Sequence, residues 1–320
     1  MSKIYLSVIV PIFNEESNIA KLHKELIEVC KAIEKKCEII YVDDASTDKS
    51  VDNLINLIKK NTLSENVLSK VILLRRNFGQ TAATSAGIDS ARGELTAFLD
   101  ADLQNDPADL KAMIKKLNTG FDAVVGWRKN RQDDGLRVFS SNMANFLIRK
   151  LFHTPFHDLG CSLKVIKREF LEDTKIYGES HRLISVLLFW KGARIAEVVV
   201  NHRKRVFGKS KYGYSRILKL ILDLITAKFL SAYGTKPAYV FGTFGILSIF
   251  VSFVLMLIVL YHKFYQDVFV HRNPLFLIAS FLILLGIQFL LMGLLAELIV
   301  RTYFESQNKT IYEIKSTKAY

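Results

Sequence analysis

Leu95-Thr96-Ala97-Phe98-Leu99-Asp100-Ala101-Asp102-Leu103-Gln104 is the stretch from which the rest of the chain is read. Its first five residues carry no charge and are too few for a helix; they suit a strand buried on both faces. Two carboxylates follow with one residue between them. In open α/β sheets, ligands collect at the carboxyl ends of the strands. Neighbouring carboxylates repel each other unless a proton or a cation intervenes. A hard divalent cation such as Mg²⁺ or Mn²⁺ removes that repulsion and keeps coordination positions for a diphosphate. Asp-x-Asp alone is a common pattern, and its place at the end of a buried strand gives it weight.

Upstream, Ser7–Pro11, Glu38–Val42 and Lys70–Leu74 have the same strand character, and Ala123–Gly126 repeats it downstream. The helical stretches Ser17–Ile33, Ser50–Lys60 and Thr81–Ala91 separate the first four. This βαβ repetition predicts a mostly parallel sheet with helices on both faces. The first strand runs into Val10-Pro11-Ile12-Phe13-Asn14-Glu15-Glu16 and the second into Val42-Asp43-Asp44-Ala45-Ser46-Thr47-Asp48. Ser46 or Asp48 also reads as a plain helix cap. Capping alone does not explain carboxylates clustered at three strand ends, which adjacent strands would gather into one crevice.

The C-terminal part is of another kind. Ala238–Tyr261 and Leu275–Ala296 hold no charged residue, and each exceeds the roughly 20 residues that a bilayer-spanning helix needs. The link His262–Asn273 closes on Asn273-Pro274, so the pair predicts a transmembrane hairpin; two buried core helices are the alternative. Arg216, Lys219, Lys228 and Lys236 precede it and Arg301, Lys309, Lys315 and Lys318 follow it, which by the positive-inside rule puts both termini and the N-terminal domain on the cytoplasmic side of the membrane. Tyr214–Tyr233 has helical apolar spacing with interspersed cations and reads as an interface helix, with a core helix as the alternative; Phe139–Phe152 is a weaker case. The expected domains are 1–213, a juxtamembrane helix at 214–236, two spans within 237–301, and a tail at 302–320.

Composition agrees. Lys and Arg number 44 against 31 Asp and Glu, a formal net charge of +13. That excess calls for an anionic partner, and with half the residues hydrophobic the partners are phosphate-bearing substrates and a membrane surface rather than nucleic acid. Cys30, Cys37 and Cys161 lack metal-ligand spacing and read as free thiols in a reducing compartment. The early apolar run Leu6–Phe13 is a buried strand rather than a signal peptide.

The three strand-end motifs, in this order, resemble the nucleotide-sugar domain of the family 2 glycosyltransferases, which have the GT-A fold. Gly126-Trp127-Arg128-Lys129-Asn130-Arg131-Gln132-Asp133, Asp158-Leu159-Gly160-Cys161 and Arg205-Val206-Phe207-Gly208-Lys209-Ser210-Lys211-Tyr212 resemble that family's polyprenyl-phosphate branch. This branch includes dolichol-phosphate mannose synthases and undecaprenyl-phosphate sugar transferases. The resemblance implies a metal-dependent, inverting transfer of a sugar from a nucleotide diphosphate, UDP in the first instance, to undecaprenyl or another polyisoprenyl phosphate. It implies base and ribose contacts at Pro11, Phe13, Glu15 and Asp44. Asp100, Ala101, Asp102 and Gln104 would hold the diphosphate, with Asp100, Asp102 and Gln104 on Mg²⁺ or Mn²⁺. Arg128, Arg137, Arg205 and Lys211 would meet the acceptor phosphate or pyrophosphate, and Asp158 would orient sugar or acceptor unless it is only a loop hydrogen-bond acceptor. The donor is expected to be 4-deoxy-4-formamido-L-arabinose, with N-acetylhexosamine or glucose open, for lipid A or surface-glycan modification. Relatives suggest a homo-oligomer, a tetramer for example. A processive polysaccharide synthase would carry Gln-x-x-Arg-Trp and more spans, and a non-catalytic nucleotide-binding scaffold would not need the intact Asp100, Asp102 and Arg205.

Overall fold

In the computed structural model, the described residues are 3–60, 66–130, 149, 156–171, 180–204, 237–266, 268–306 and 314–319. They fall into two compact units, residues 1–224 with 310–320, and residues 225–309.

The first unit is built on an eight-stranded mixed sheet. Its strands are β1 (Leu6–Ile12), β2 (Cys37–Asp43), β3 (Val67–Leu74), β4 (Leu95–Phe98), β5 (Ala123–Trp127), β6 (Lys164–Lys167), β7 (Ile195–Val199) and β8 (Ile314–Ala319). The spatial order is β7-β5-β6-β4-β1-β2-β3-β8. Strands β4, β1, β2 and β3 pair in parallel, as do β5 and β7, whereas β6 and β8 run the other way. The expected GT-A-like α/β sheet is therefore present, with each expected strand within a few residues of its observed ends.

Side-chain alternation explains the layers. On β1, Leu6, Val8, Val10 and Ile12 join one core, while Ile9 joins the other. On β2, Cys37, Ile39 and Tyr41 alternate with Ile40 and Val42 in the same way. Strands buried on both faces need helices on both faces. The first core is covered by α1 (Ile19–Ala32), α2 (Ser50–Lys60) and α4 (Asp109–Leu117), the second by α3 (Gln80–Ser90) and α5 (Ile184–Trp190). Helix α3 presents Ala82, Ala83, Ala86 and Gly87 to the sheet. A β-carbon on Gly87 would lie 2.4 Å from Ile9 Cγ2, so this helix sits closer to β1 than a larger residue permits.

Strand β8 extends what was read as a plain tail, adding an antiparallel edge to β3 with a register shift between Leu73 and Leu74.

The second unit is the helix pair α6 (Pro237–Tyr265) and α7 (Pro274–Ser306). Both are long and apolar enough to cross a membrane. Large apolar side chains such as Phe250, Phe253, Phe281 and Leu284 are exposed within this unit, which disfavours the buried-core alternative. The helices meet through small residues. Gly245 and Gly286 face each other so closely that a β-carbon on either would fall within 2.9 Å of the other's carbonyl oxygen. Ser252 Oγ donates to the Ala279 carbonyl at 2.6 Å. Close approach through small residues and a hydroxyl is how helices associate where no hydrophobic force acts between them. Asn273 begins α7 as a cap, its Oδ1 accepting from Leu275 N at 3.1 Å with Pro274 in the first turn. The proposed interface helix at 214–233 and most of Phe139–Phe152 lie outside the described residues.

Candidate active site

The strand order reverses at β1, with β2 on one side and β4 on the other. A reversal of this kind opens a crevice at the carboxyl ends of the strands. Pro11, Phe13 and Glu15 lie at the end of β1, Asp44 at the end of β2, and Asp100, Ala101, Asp102 and Gln104 at the end of β4. The parallel alignment of these strands brings the three sequence motifs to one edge of the sheet.

Backbone strain marks the same edge. Asn14, Ala45 and Leu103 have φ of 54°, 60° and 60°. Non-glycine residues take this left-handed conformation rarely, and it persists where surrounding contacts fix it. Those contacts are visible between the first two loops. Asn14 N donates to Ser46 Oγ at 2.9 Å, Thr47 N to Asn14 Oδ1 at 2.8 Å, Glu15 N to Ser50 Oγ at 2.8 Å and Lys49 N to Glu16 Oε2 at 3.1 Å. Asp48 accepts from Ser50 N at 3.0 Å and Glu16 N at 3.2 Å. Glu16, Ser46 and Asp48 are therefore loop-locking residues, in line with the capping alternative for Ser46 and Asp48.

Asp44 is buried, and each of its oxygens accepts a backbone N–H, from Phe78 at 2.7 Å and from Gly79 at 2.8 Å. Burial pushes its carboxyl up, and these two bonds oppose the push. Asp43 accepts from Ser46 N at 3.1 Å.

Asp100 is in a different position. Gln80 Nε2 donates to its Oδ1 at 2.7 Å. Burial first, and the adjacent Asp102 second, push its carboxyl up to about 6; a hydrogen bond from Ser162 and the positive charges of Lys164 and Arg182 act in the opposite direction. A carboxyl so placed gains from a cation brought beside it. Asp102 Oδ1 turns back to accept from Gln104 N at 3.1 Å. Among the described residues, no three His, Cys, Asp or Glu side chains converge as a metal cage. Two carboxylates with most of the coordination sphere left to ligand and water suit a metal that bridges to phosphates.

Beside β5, Arg128 forks onto Asp158, with Nε to Oδ2 at 2.7 Å and Nη2 to Oδ1 at 2.9 Å. The two side chains are 12% and 4% exposed. Asp158 thus fixes Arg128 in orientation. Trp127 stacks on His157 at 4.4 Å, and Glu197 receives His157 N and Nδ1, each at 2.7 Å. All three cysteines are free and buried. Burial raises the Cys161 thiol to about 11, so it stays neutral near pH 7. Arg137, Arg205 and Lys211 lie outside the described residues.

Several site residues were not singled out from sequence. Phe78 and Gly79 belong to the loop after β3 and Gln80 opens α3 behind it, at a fourth strand end without an acidic cluster; its one signal is Gly79 ahead of a helix. Lys164 opens β6, ahead of the apolar Val165 and Ile166, and is 3% exposed. Burial lowers its pKa, and Asp100 and Asp158 are among the groups that raise it.

The sequence matches the family described as Glycosyl transferase family 2 over residues 7–175. It is 37% identical to dodecaprenyl-phosphate galacturonate synthase of Rhizobium johnstonii, an alignment covering 98% of this chain and 93% of that protein. It is 33% identical to undecaprenyl-phosphate 4-deoxy-4-formamido-L-arabinose transferase of Photorhabdus laumondii, over 97% and 93%. Among solved structures it is similar to glucosyl-3-phosphoglycerate synthase of Mycobacterium tuberculosis in complex with Mn²⁺, UDP and phosphoglyceric acid, with a TM-score of 0.50 at 18% identity, covering 71% of this chain and 78% of that one. That likeness concerns the fold.

Proposed function

The chain belongs to glycosyl transferase family 2, and on that premise we propose that it transfers a sugar from a uridine diphosphate carrier to a polyprenyl phosphate, with inversion at the anomeric carbon. The observation that carries this reading is the Asp100–Asp102 pair at the switch point of the sheet, in a chain that also holds two helices apolar enough to span a bilayer. Near full-length identity with two relatives named for polyprenyl-phosphate sugars supports it.

In this reading Pro11, Phe13, Glu15 and Asp44 receive base and ribose. Asp44 keeps lone pairs beyond the two given to Phe78 and Gly79, and a carboxylate can accept about four hydrogen bonds. Asp100 and Asp102, with Gln104 beside them, would hold Mg²⁺ or Mn²⁺, which supplies charge neutralisation at the diphosphate. The acceptor phosphate has a second pKa of about 6 and is already an oxyanion near pH 7, so it needs little help from a base. The protein's work is placement and electrostatics. Arg128, oriented by Asp158, and the cations Arg137, Arg205 and Lys211 would bring the two phosphate groups to opposite sides of the anomeric carbon. The hairpin would keep the enzyme at the cytoplasmic face of the inner membrane, where the acceptor headgroup lies, and the product would serve envelope glycan or lipid A modification.

A mass-spectrometric screen tests this directly. Membranes carrying the protein are given undecaprenyl phosphate, Mg²⁺ or Mn²⁺, and uridine diphosphate sugars that include galacturonate, 4-deoxy-4-formamido-L-arabinose, N-acetylhexosamine and glucose. One of them should yield a lipid monophosphate sugar that EDTA abolishes. Release of free sugar with no lipid product would reject the acceptor assignment.

A further inference from the structure

We infer that Arg203 is a positioning residue for the loop that carries Asp100, Asp102 and Gln104. The inference rests on the cation-and-diphosphate reading of that loop given above. Arg203 sits just past β7 and joins three parts of the first unit. Its Nη1 donates to both oxygens of Glu25 on α1, at 3.0 and 2.8 Å. Its Nη2 lies 2.7 Å from Asp106 Oδ2, two residues beyond Gln104. Its own backbone N–H donates to the Gln104 carbonyl at 2.8 Å.

The neighbours of Arg203 hold the same stretch. His202 pairs with Asn105 in an isolated antiparallel bridge. Asn201 places its N and Nδ2 on the two oxygens of Asp109, at 2.7 and 3.0 Å, where α4 begins. From Asn105 the connection returns to the site. Its buried amide donates to Ser162 Oγ at 2.8 Å, and Ser162 in turn hydrogen-bonds Asp100. The loop after β4 is thus fastened on both sides of the strained Leu103, by Ser162 on Asp100 and by residues 201–203 on Gln104 to Asp109. A strained turn with two like charges does not hold its shape unaided. A planar guanidinium reaching two carboxylates in different directions fixes it in a way that a point-charge ammonium does not. Arg203 also immediately precedes Lys204 and Arg205 in the sequence, so the residue that fixes the donor loop adjoins the segment assigned to the acceptor phosphate.

A comparison of the two halves of this clamp separates positioning from plain stabilisation. Glu25 and Asp106 are equally exposed, at 21% and 20%, so Glu25→Gln and Asp106→Asn each remove one ion pair and should lower the melting temperature alike, provided that the Asn oxygen keeps the bond Asp106 Oδ1 accepts from Ala108 N at 3.0 Å. Only Asp106 belongs to the donor loop. In the full-length protein in detergent, Mn²⁺-dependent binding of UDP should weaken at least ten-fold in Asp106→Asn and Arg203→Gln and stay within two-fold in Glu25→Gln. Arg203→Lys should recover part of the loss. Hydrogen exchange at Ala101–Asn105, measured without ligand, should quicken in the same order. Equal effects of the two single-carboxylate variants, or exchange unchanged in Arg203→Gln, would overturn the inference. Wild-type protein that fails to bind UDP with Mn²⁺ would reject the nucleotide reading instead, while the exchange measurement would still decide the role of Arg203.

Discussion

The loops after β2 and β4 each offer two carboxylates, and they treat them in opposite ways. Asp43 and Asp44 are supplied with backbone donors, from Ser46 in one case and from Phe78 and Gly79 in the other. Asp100 takes one side-chain amide from Gln80 and one hydroxyl from Ser162, with the like charge of Asp102 pushing its carboxyl up against the charges of Lys164 and Arg182, and Asp102 accepts from Gln104 N. Both oxygens of Asp44 are satisfied by the fold, Asp43 Oδ1 is buried without a hydrogen-bond partner among the described residues, and Asp100 is held against the like charge of Asp102. In the proposed reading, identical residue types at neighbouring strand ends serve a nucleotide floor on one side and a cation site on the other. Evolved sites commonly hold such local disadvantage where function requires it.

The largest test of this contrast is Asp102→Asn, which keeps shape and removes one charge. Transfer should fall by about 10³-fold or more, roughly 4 kcal/mol of barrier, with the fold intact by circular dichroism. Retention of most activity would place the cation elsewhere. A smaller effect, and of the other kind, is expected at Asp44. Asp44→Ala leaves two buried N–H groups without acceptors and should destabilise the protein by about 2–4 kcal/mol in a thermal melt, alongside weaker UDP binding. A melt unchanged from wild type would show that the loop after β3 does not depend on this carboxylate. Smallest is Asp48→Ala, which removes acceptors for Ser50 N and Glu16 N. It should lower stability by about 1 kcal/mol and leave transfer within a few-fold. A loss of transfer comparable with that of Asp102→Asn would give Asp48 a part in the chemistry.

The sheet was legible because β1 to β5 are short apolar runs, each closed by a turn or a charge, and period and length leave little choice. The site was legible as far as acidic clusters reached. It stopped there because Gln80, at the start of α3, and Lys164, on β6, come near Asp100 only in the fold, which no local pattern encodes: Lys164 stands opposite Phe98 only through the antiparallel pairing of β4 and β6. Glu16 and Asp48 showed the opposite difficulty. Their residue type added to the acidic clusters, and their oxygens accept from backbone donors, for Asp48 as the capping alternative allowed. The edge strand β8 escaped notice because Ile314-Lys315-Ser316-Thr317-Lys318-Ala319 lacks an apolar run, and its pairing with β3 depends on open backbone groups at a sheet edge rather than on side-chain pattern. Arg203 was passed over in favour of Arg205, two positions later.

The most direct test of the account is a thermal melt of the full-length protein and of Asp100→Asn across pH, with and without Mn²⁺. Asp100 has its carboxyl raised from 3.8 to about 6. A raised acid favours the folded state at low pH, so its contribution is full below pH 3.8 and is lost as pH rises through about 6. Without metal, wild type should therefore lose stability relative to Asp100→Asn over that interval, by on the order of 2 kcal/mol. At pH 7.5, Mn²⁺ should raise the melting temperature of wild type and leave Asp100→Asn nearly unmoved, because a ligand stabilises only the form that binds it. An equal Mn²⁺ shift in both proteins, or parallel melting profiles from pH 4 to 7, would contradict the proposal that Asp100 takes part in holding a cation.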